Sequence, residues 1–153
     1  MHKRHKNICY LGLGSNLGNK LENIQKAVSI LRNNKKIKII KNSSIKVTKA
    51  WGNTNQPDFL NCVLEIETAL DPKKLLKICL EIETEMGRIR KEKWESRIID
   101  IDILFFGNEV INEENLIIPH AFIYKRKFIL ESLNEICPDY IHPTLKKKIK
   151  DIL

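Results

Sequence analysis

The segment IIDIDILFF, residues 98–106, constrains the fold of this chain more than any other stretch of its sequence. Its isoleucine and phenylalanine side chains predict a β-strand, because β-branched and aromatic residues suit a pleated, half-buried surface. Successive side chains of a strand point to opposite faces, so Asp100 and Asp102 share one face and the neighbouring isoleucines share the other. The segment therefore predicts a strand with one face in a hydrophobic core and two carboxylates on the other, with their Cα atoms about 6.6 Å apart.

The two carboxylates have two interpretations. Like charges at this separation repel each other unless a cation lies between them. Oxygen ligands, without thiolates or a histidine pair beside them, favour Mg²⁺, which takes one or two carboxylates together with the phosphates of a substrate. Alternatively, the segment is an exposed edge strand whose outward acids deter aggregation. Taken alone, the motif favours this second interpretation.

A run of cationic side chains leads directly into this strand. The chain has 27 lysines and arginines against 19 acidic residues, a formal net charge of +8, which indicates an anionic partner. Three of its six arginines fall within ten residues, at Arg88, Arg90 and Arg97, and the planar guanidinium suits bidentate binding of phosphate. A solvated basic loop explains the same charge. If the acids hold metal ions and the arginines bind phosphates, all of them surround one polyphosphate, as phosphoryl transfer requires.

A second candidate binding segment is WGNTNQPDFLNCV, residues 51–63. Phe59 and Asn61 lie two apart and so share one face of the expected strand. One offers a flat ring and the other a paired hydrogen-bond donor and acceptor, which together suit a flat heterocycle with amide-like edges. The alternative is an exposed asparagine beside a half-buried phenylalanine.

The glycine-rich stretch GLGSNLGN, residues 12–19, does not match a nucleotide-binding motif. Gly18 comes one residue too late for G-x-G-x-x-G, and the chain has no P-loop sequence. The stretch predicts a tight strand-to-helix turn in which Ser15 and Asn16 satisfy backbone groups. Side chains and metal ions, rather than a glycine loop, are therefore expected to build the phosphate site.

Periodicity along the chain predicts an α+β fold with a mainly antiparallel sheet and helices packed on one of its faces. Besides the DID strand, strands are expected over residues 7–14, 57–70 and, as one long exposed strand, 36–50. A tight turn at Gly107–Asn108 predicts a hairpin between the DID strand and the EVI that follows. Helices are expected over residues 19–33, 71–87, 128–136 and 143–153.

Nothing in the sequence divides the chain, so we expect a single domain over residues 1–153, with residues 1–6 a frayed basic N-terminus. No apolar run reaches the ~20 residues of a membrane-spanning helix. The four cysteines show no paired spacing and are expected to be reduced. These features predict a cytoplasmic protein without a membrane partner.

Several segments, in order, resemble the 6-hydroxymethyl-7,8-dihydropterin pyrophosphokinase family. They are YLGLGSNLG, NQPDFLN, GRIRKEKWESRIIDIDILFFGNEVI and PHAFIYKRKFIL, and the resemblance extends from about Ile8 to Pro143. The pattern R-x-x-D-[LIV]-D-[LIV], which begins at Arg97, is highly specific within that succession. The resemblance implies a ferredoxin-like α+β fold. It also implies transfer of the β,γ-pyrophosphate of ATP to the hydroxymethyl group of 6-hydroxymethyl-7,8-dihydropterin, with release of AMP, in folate biosynthesis.

The resemblance also implies site residues by position. Asp100 and Asp102 match the carboxylates that hold two Mg²⁺ ions arriving with ATP. The catalytic positions are Arg97, the first choice for stabilising transition-state charge, Arg88 and His120. The ATP-binding positions are Glu83, Arg88, Arg90, Trp94, Arg97, Ile103, His120 and Arg126, with Trp94 either covering the nucleotide or simply packing. The pterin-binding positions are Thr48, Trp51, Phe59, Asn61 and Phe128.

Two other functions compete with this enzyme hypothesis. A basic ferredoxin-like nucleic-acid-binding module would stack bases on Phe59, but the chain lacks the aromatic-rich strand of RNA-recognition sheets, and Asp100 and Asp102 would repel phosphate. An inactive homologue kept as a scaffold would not need every charged position of the family, yet all are present. We therefore expect an enzyme whose partners are ATP and the pterin, with no nucleic acid bound, acting as a monomer.

Overall fold

The computed structural model describes residues 5–49, 57–87, 98–121, 123 and 126–153. Five site residues predicted from the sequence lie outside these ranges: Trp51, Arg88, Arg90, Trp94 and Arg97. Within the ranges that are described, no helix has the length and apolar character that crossing a membrane requires.

An antiparallel sheet forms the centre of the fold. Its strands are β1 (Asn7–Ser15), β2 (Ile37–Asn42), β3 (Lys46–Thr48), β4 (Phe59–Thr68) and β5 (Asp100–Phe106). They follow the order β2-β4-β1-β5, and β3 also pairs with β4. A separate two-stranded sheet consists of β6 (Ile111–Glu113) and β7 (Leu116–Ile118). Because β1 is central, it separates β4, which carries Phe59 and Asn61, from β5, which carries the two aspartates.

The described helices are α1 (Lys20–Asn33), α2 (Pro72–Glu85), α3 (Lys127–Ile136) and α4 (Ile149–Ile152). The first two begin where the sequence predicts, with a capping side chain at residue 19 and at residue 71. Oδ1 of Asn19 accepts the backbone N–H of Glu22 at 3.2 Å, and Oδ1 of Asp71 accepts that of Lys74 at 2.8 Å. After α2, Gly87 adopts a φ of 93°, a left-handed conformation that favours glycine and ends the helix.

The sheet has a hydrophobic core on each face. On one face, α1 and α2 pack so that Leu31 joins Ile101 of β5. On the other face, α3 and α4 pack so that Leu133 joins Val63 of β4. The α+β class and the antiparallel sheet are confirmed, but the expectation that all helices lie on one face is wrong. Val63 and its neighbour Leu64 point to opposite faces and are both buried, so both faces of β4 need a covering layer.

Two strand predictions also need correction. The single strand expected over residues 36–50 is divided into β2 and β3. Between them, Ser43 donates its N–H to the carbonyl oxygen of Val63, and its Oγ accepts the N–H of Val63, each at 2.8 Å. The Ser43 hydroxyl thus accepts the Val63 N–H that a residue of a neighbouring strand would otherwise accept. The expected hairpin with the DID strand is wrong as well, because β6 pairs with β7, with Asn112 opposite Ile117.

The helix expected over residues 143–153 is confined to α4. His142 is only 4% exposed, and its Nδ1 accepts the backbone N–H groups of Thr144 at 3.2 Å and Leu145 at 3.1 Å. These bonds stabilise a turn, in which the side chain of Leu145 is exposed. Lys146 then adopts a φ of 59°, which no α-helix accommodates.

The buried histidine makes stability depend on pH. Burial lowers the pKa of His142 from its usual 6.5, because the charged imidazolium would lose its hydration. As the pH falls through about 6.5, the unfolded chain gains a proton at this residue that the folded protein resists. We therefore expect the free energy of unfolding contributed by His142 to be fully present above this pH and to be lost progressively below it.

The variant His142→Asn isolates this contribution, because the asparagine Oδ1 accepts the same kind of turn N–H groups and does not titrate. We expect urea unfolding at about pH 7.5 and about pH 5 to show a smaller acid-induced loss of stability in the variant than in the wild-type protein. An equal loss in the two proteins would contradict the role assigned to His142.

Candidate active site

A cavity lies between the sheet and α3, on the face of β5 that carries the two aspartates. We call it the first cavity. At its base, β1 contributes Gly12 and Gly14, which have no side chains. Leu13 of β1 also lines it, and the rest of the lining comes from the other strands, the segments beside them and α3: Thr48, Lys49, Phe59, Asn61, Cys62, Val63, Asp100, Asp102, Leu104, Arg126, Phe128, Ile129 and Ser132.

Four of the five residues predicted to bind a pterin line this cavity. Phe59 and Asn61 project from the same face of β4, as strand alternation predicts, and Phe128 reaches the cavity from α3. Thr48 of β3 pairs with Phe59, and its Oγ1 accepts an N–H from Nδ2 of Asn61 at 2.5 Å. This bond fixes the plane of the Asn61 amide beside the phenylalanine ring. The fifth residue, Trp51, lies outside the described residues.

β5 places the two aspartates on the cavity side of the sheet. Asp100 and Asp102 line the first cavity, whereas the isoleucines that flank and separate them are at most 4% exposed, in the core beneath α1 and α2. The predicted division of this strand into an apolar face and a carboxylate face is confirmed. β5 lies at an edge of the sheet, as the aggregation-deterring interpretation requires. Its acids, however, border a cavity lined by aromatic and amide groups, which favours the ligand-binding interpretation.

A second cavity lies between α2, β5 and β7. Its described lining is Leu76, Leu80, Glu83, Ile101, Asp102, Ile103, Glu114, Asn115, Leu116, Ile117, His120 and Ala121. Three predicted ATP-binding residues, Glu83, Ile103 and His120, are therefore brought together here. Asp102 lines both cavities, and no other described residue does. Molecules in the two cavities would consequently meet beside this carboxylate.

Glu83 has a structural contact that the sequence did not predict. Its side chain is buried on α2, and its Oε2 accepts the backbone N–H of Ile101 at 2.7 Å. Ile101 is the residue between the two aspartates, so this bond fixes the outer edge of β5 at the point where both carboxylates project. Glu83, which lines the second cavity, therefore stabilises the position of β5.

His120 follows β7 and is held against β5. Its backbone N–H donates to the carbonyl oxygen of Leu104 at 3.0 Å, and its Nε2 lies 3.8 Å from Oδ2 of Asp102. Burial lowers the pKa of His120, the positive charge of Arg126 lowers it further, and the negative charge of Asp100 acts in the opposite direction. The neutral imidazole is favoured, so the contact with Asp102 is not a full ion pair at neutral pH.

Arg126 occupies the N-cap position of α3 and lines the first cavity with the aspartates. The resemblance implies that it binds ATP, which would occupy the second cavity. Its positive charge lowers the pKa of His120, which lines the second cavity, so the two side chains are within electrostatic range of each other.

Gly12 and Gly14 line the first cavity, although the sequence predicted them only as the end of a strand and the start of a strand-to-helix turn. The strand is confirmed and continues through Ser15. The available signal was a pair of glycines two residues apart in a strand pattern. Glycine inside a strand marks places where another group approaches the backbone closely.

The donors around Asp100 and Asp102 fit Mg²⁺ that is held partly by a substrate. Both side chains offer only oxygen, the ligand that Mg²⁺ prefers. Residues 5–49, 57–87, 98–121, 123 and 126–153 contain no group of three or more histidine, cysteine or acidic residues suited to holding a metal ion. Two carboxylates would leave coordination positions for phosphate oxygens and water, an arrangement typical of Mg²⁺ bound with a nucleotide.

Sequence comparison places the chain in a family. A sequence model described as 7,8-dihydro-6-hydroxymethylpterin-pyrophosphokinase (HPPK) matches residues 10–138. The chain belongs to the HPPK family. A relative from Methylorubrum extorquens is 42% identical over 132 residues, covering 86% of this chain and 84% of its own length. An Aquifex aeolicus relative is 44% identical over 142 residues, covering 93% and 88%. Both HPPK relatives are named 2-amino-4-hydroxy-6-hydroxymethyldihydropteridine pyrophosphokinase.

Solved structures support the same fold. The crystal structure of Plasmodium falciparum HPPK-DHPS with pteroate matches 99% of this chain with a TM-score of 0.79 and 20% sequence identity. The match covers 42% of that longer chain, so this chain spans less than half of the Plasmodium protein. At this identity the similarity concerns the fold alone, and it confirms the predicted HPPK-type architecture.

Proposed function

We propose that this HPPK-family chain transfers pyrophosphate from ATP to the hydroxymethyl group of 6-hydroxymethyl-7,8-dihydropterin, releasing AMP, as a step of folate biosynthesis. The observation that carries the proposal is that Asp102 lines both cavities. A group transfer between two substrates requires that their reacting ends be held close together in the right orientation. The two cavities meet this requirement at the carboxylate of Asp102.

The first cavity suits the pterin. Phe59 and Phe128 supply aromatic faces to a flat ring, and the Asn61 amide, oriented by Thr48, supplies a donor and an acceptor for its edge. The hydroxymethyl group would extend toward Asp102, because the aspartates line the same cavity on the far side of β1.

The second cavity suits the nucleotide. Leu76, Leu80 and Ile117 offer apolar surface for a base, while Glu83 and His120 add polar groups. By prediction from the sequence, Arg88, Arg90 and Arg97 of the segment before β5 extend this site with positive charge, and Trp94 of the same segment adds an aromatic side chain. The charges of the three arginines would neutralise the phosphates.

The reaction forms a bond between the hydroxymethyl oxygen and the β-phosphorus of ATP. It breaks the bond between that phosphorus and the oxygen that remains on AMP, and the hydroxyl proton is released. Asp100 and Asp102 would hold two Mg²⁺ ions that arrive with ATP. When bound, Mg²⁺ neutralises the triphosphate and orients it for displacement. Arg126 adds positive charge from the first cavity, and neutral His120 adds a donor or acceptor without adding charge.

The alternative of a nucleic-acid-binding module is not favoured. RNA-recognition sheets present aromatic side chains on an open face, where bases stack. Here α3 covers the face that carries Phe59, and Ile129 of that helix belongs to the core on this face. A base of a nucleic acid would have to enter the first cavity, between α3 and the sheet, with the carboxylates of Asp100 and Asp102 beside it.

The test is an assay of AMP release by the purified protein with ATP, Mg²⁺ and 6-hydroxymethyl-7,8-dihydropterin, with the pyrophosphorylated pterin identified by mass spectrometry. We expect AMP only when both substrates and Mg²⁺ are present, in a one-to-one ratio with the pterin product. Release of ADP instead of AMP, or AMP release that does not depend on the pterin, would contradict the proposal.

We further propose that the protein is a cytoplasmic monomer that binds neither nucleic acid nor membrane, as expected from the sequence. The absence of a membrane-spanning helix among the described residues is compatible with this proposal.

A further inference from the structure

The central strand of the sheet, β1, has two glycines and so no side chains at the positions that pass beneath the first cavity. Gly12 and Gly14 lie two residues apart on β1, opposite Val63 and Asn61 of β4 on one side and opposite the two aspartates of β5 on the other. Neither glycine has a positive φ, so the backbone at both positions accepts any residue. The reason for glycine here must therefore be space and not conformation.

The two glycines differ in what a side chain would meet. A Cβ atom on Gly14 would lie 2.8 Å from Oδ1 of Asn61 and 3.3 Å from Cδ1 of Phe59, so the neighbouring groups would have to move. A Cβ atom on Gly12 would lie 3.4 to 3.6 Å from side-chain carbons of Leu104, which is ordinary contact. The space above Gly14 is occupied by Asn61 and Phe59, two residues predicted to bind the pterin, whereas the space above Gly12 is bordered by Leu104, which is not among them.

We infer that Gly14 is a positioning residue, whose missing side chain lets the Asn61 amide lie against the backbone of β1 in the orientation that binds the pterin edge. The amide is tied at its other end, because Nδ2 donates to Oγ1 of Thr48 at 2.5 Å. A methyl group at position 14 would push Oδ1 away, and the amide would have to rotate and strain or break the bond to Thr48. The identity of the ligand rests on the proposed function, whereas the packing of the amide does not.

The experiment compares Gly14→Ala with Gly12→Ala, the same substitution on the same strand. Binding of 6-hydroxymethylpterin is measured by calorimetry, with and without Mg²⁺ and α,β-methylene-ATP. We expect Gly14→Ala to raise the Kd for the pterin about tenfold or more, the loss expected when a buried hydrogen-bonding group is misplaced. Gly12→Ala should have a clearly smaller effect on pterin affinity. Affinity for the ATP analogue should change less than twofold, roughly the scatter of unrelated substitutions, in Gly14→Ala.

A double-mutant cycle separates this role from general damage to the strand. In an Asn61→Ala background the oxygen that the methyl group meets is absent, so adding Gly14→Ala should cost less than about twofold in pterin affinity. If the effects of the two substitutions instead multiply, Gly14 does not act through Asn61 and the inference is overturned. Equal pterin affinity of Gly14→Ala and the wild-type protein would overturn it too.

A measurement without ligand keeps this inference distinct from the proposed function. The side-chain NH₂ resonances of Asn61, assigned by their loss in Asn61→Ala, should shift in Gly14→Ala and stay near their wild-type positions in Gly12→Ala. Unmoved resonances in Gly14→Ala would overturn the packing argument even if the pterin binds. Failure of the wild-type protein to bind any pterin, with the resonances shifting as expected, would overturn the proposed function and leave the packing of Asn61 against Gly14 supported.

Discussion

Replacing either Asp100 or Asp102 by asparagine is expected to lower the rate of AMP formation by at least about a thousandfold, since metal-assisted stabilisation of phosphoryl charge supplies several kcal/mol. Asparagine keeps the size of the side chain and removes its negative charge, which Mg²⁺ needs in a ligand oxygen. Because both side chains project into the first cavity while the adjacent isoleucines fill the core, neither substitution disturbs the hydrophobic packing of β5. The measurement is the initial rate of AMP release at saturating ATP and pterin while Mg²⁺ is titrated.

A matched control is Glu109→Gln, which removes the charge of an exposed acid shortly after β5. It should retain the wild-type rate and the wild-type dependence on Mg²⁺. Near-ultraviolet circular dichroism and binding of 6-hydroxymethylpterin should be retained in both aspartate variants, which separates a lost metal site from a lost fold. Wild-type turnover in both variants would show that the metal assignment is wrong. A loss confined to Asp102→Asn would restrict the assignment to the carboxylate that borders both cavities.

The sequence correctly predicted those features that depend on residues close to one another along the chain. Alternation placed Asp100 and Asp102 on one face of β5, and the side chains of Asn19 and Asp71 marked the starts of two helices correctly. These features depend on contacts within a few residues, which the sequence displays directly. The same local rules predicted the α+β class, because the order of periodic segments limits how sheets and helices pack.

Contacts between distant segments account for part of the errors. Ser43 interrupts a strand by bonding to Val63, twenty residues along the chain. The hairpin of β6 and β7 is a local pairing, with Glu113 opposite Leu116, and the turn predicted at Gly107–Asn108 was assigned to it wrongly.

The candidate site shows the same difference between features that depend on nearby residues and features that depend on distant ones. Residue types indicated Phe59 as a contact for a flat heterocycle, but the bond from Ile101 to Glu83 and the close approach of Asn61 to Gly14 exist only in three dimensions. The two glycines of β1 signal that some group approaches the backbone closely, but the sequence does not show which group it is.

The variant Arg97→Ala is expected to lower kcat about a thousandfold while changing the affinity for 6-hydroxymethylpterin little, as arginines that stabilise transferring phosphoryl groups typically do. Arg97 lies outside the described residues, so its role is a prediction from the sequence, in which it precedes Asp100 by three residues and matches a catalytic position of the family.

Comparison with Arg97→Lys shows which property of the arginine matters. Lysine keeps the positive charge but loses the planar fork that binds two phosphate oxygens at once. We expect Arg97→Lys to recover only part of the lost kcat, because charge alone attracts the phosphates while bidentate geometry orients the β-phosphoryl group as its bond to AMP breaks. Single-turnover kinetics at saturating substrates, together with pterin binding by calorimetry, separate the two effects. A large loss of pterin affinity with unchanged kcat in Arg97→Ala would remove this residue from the catalytic step and place it in substrate binding.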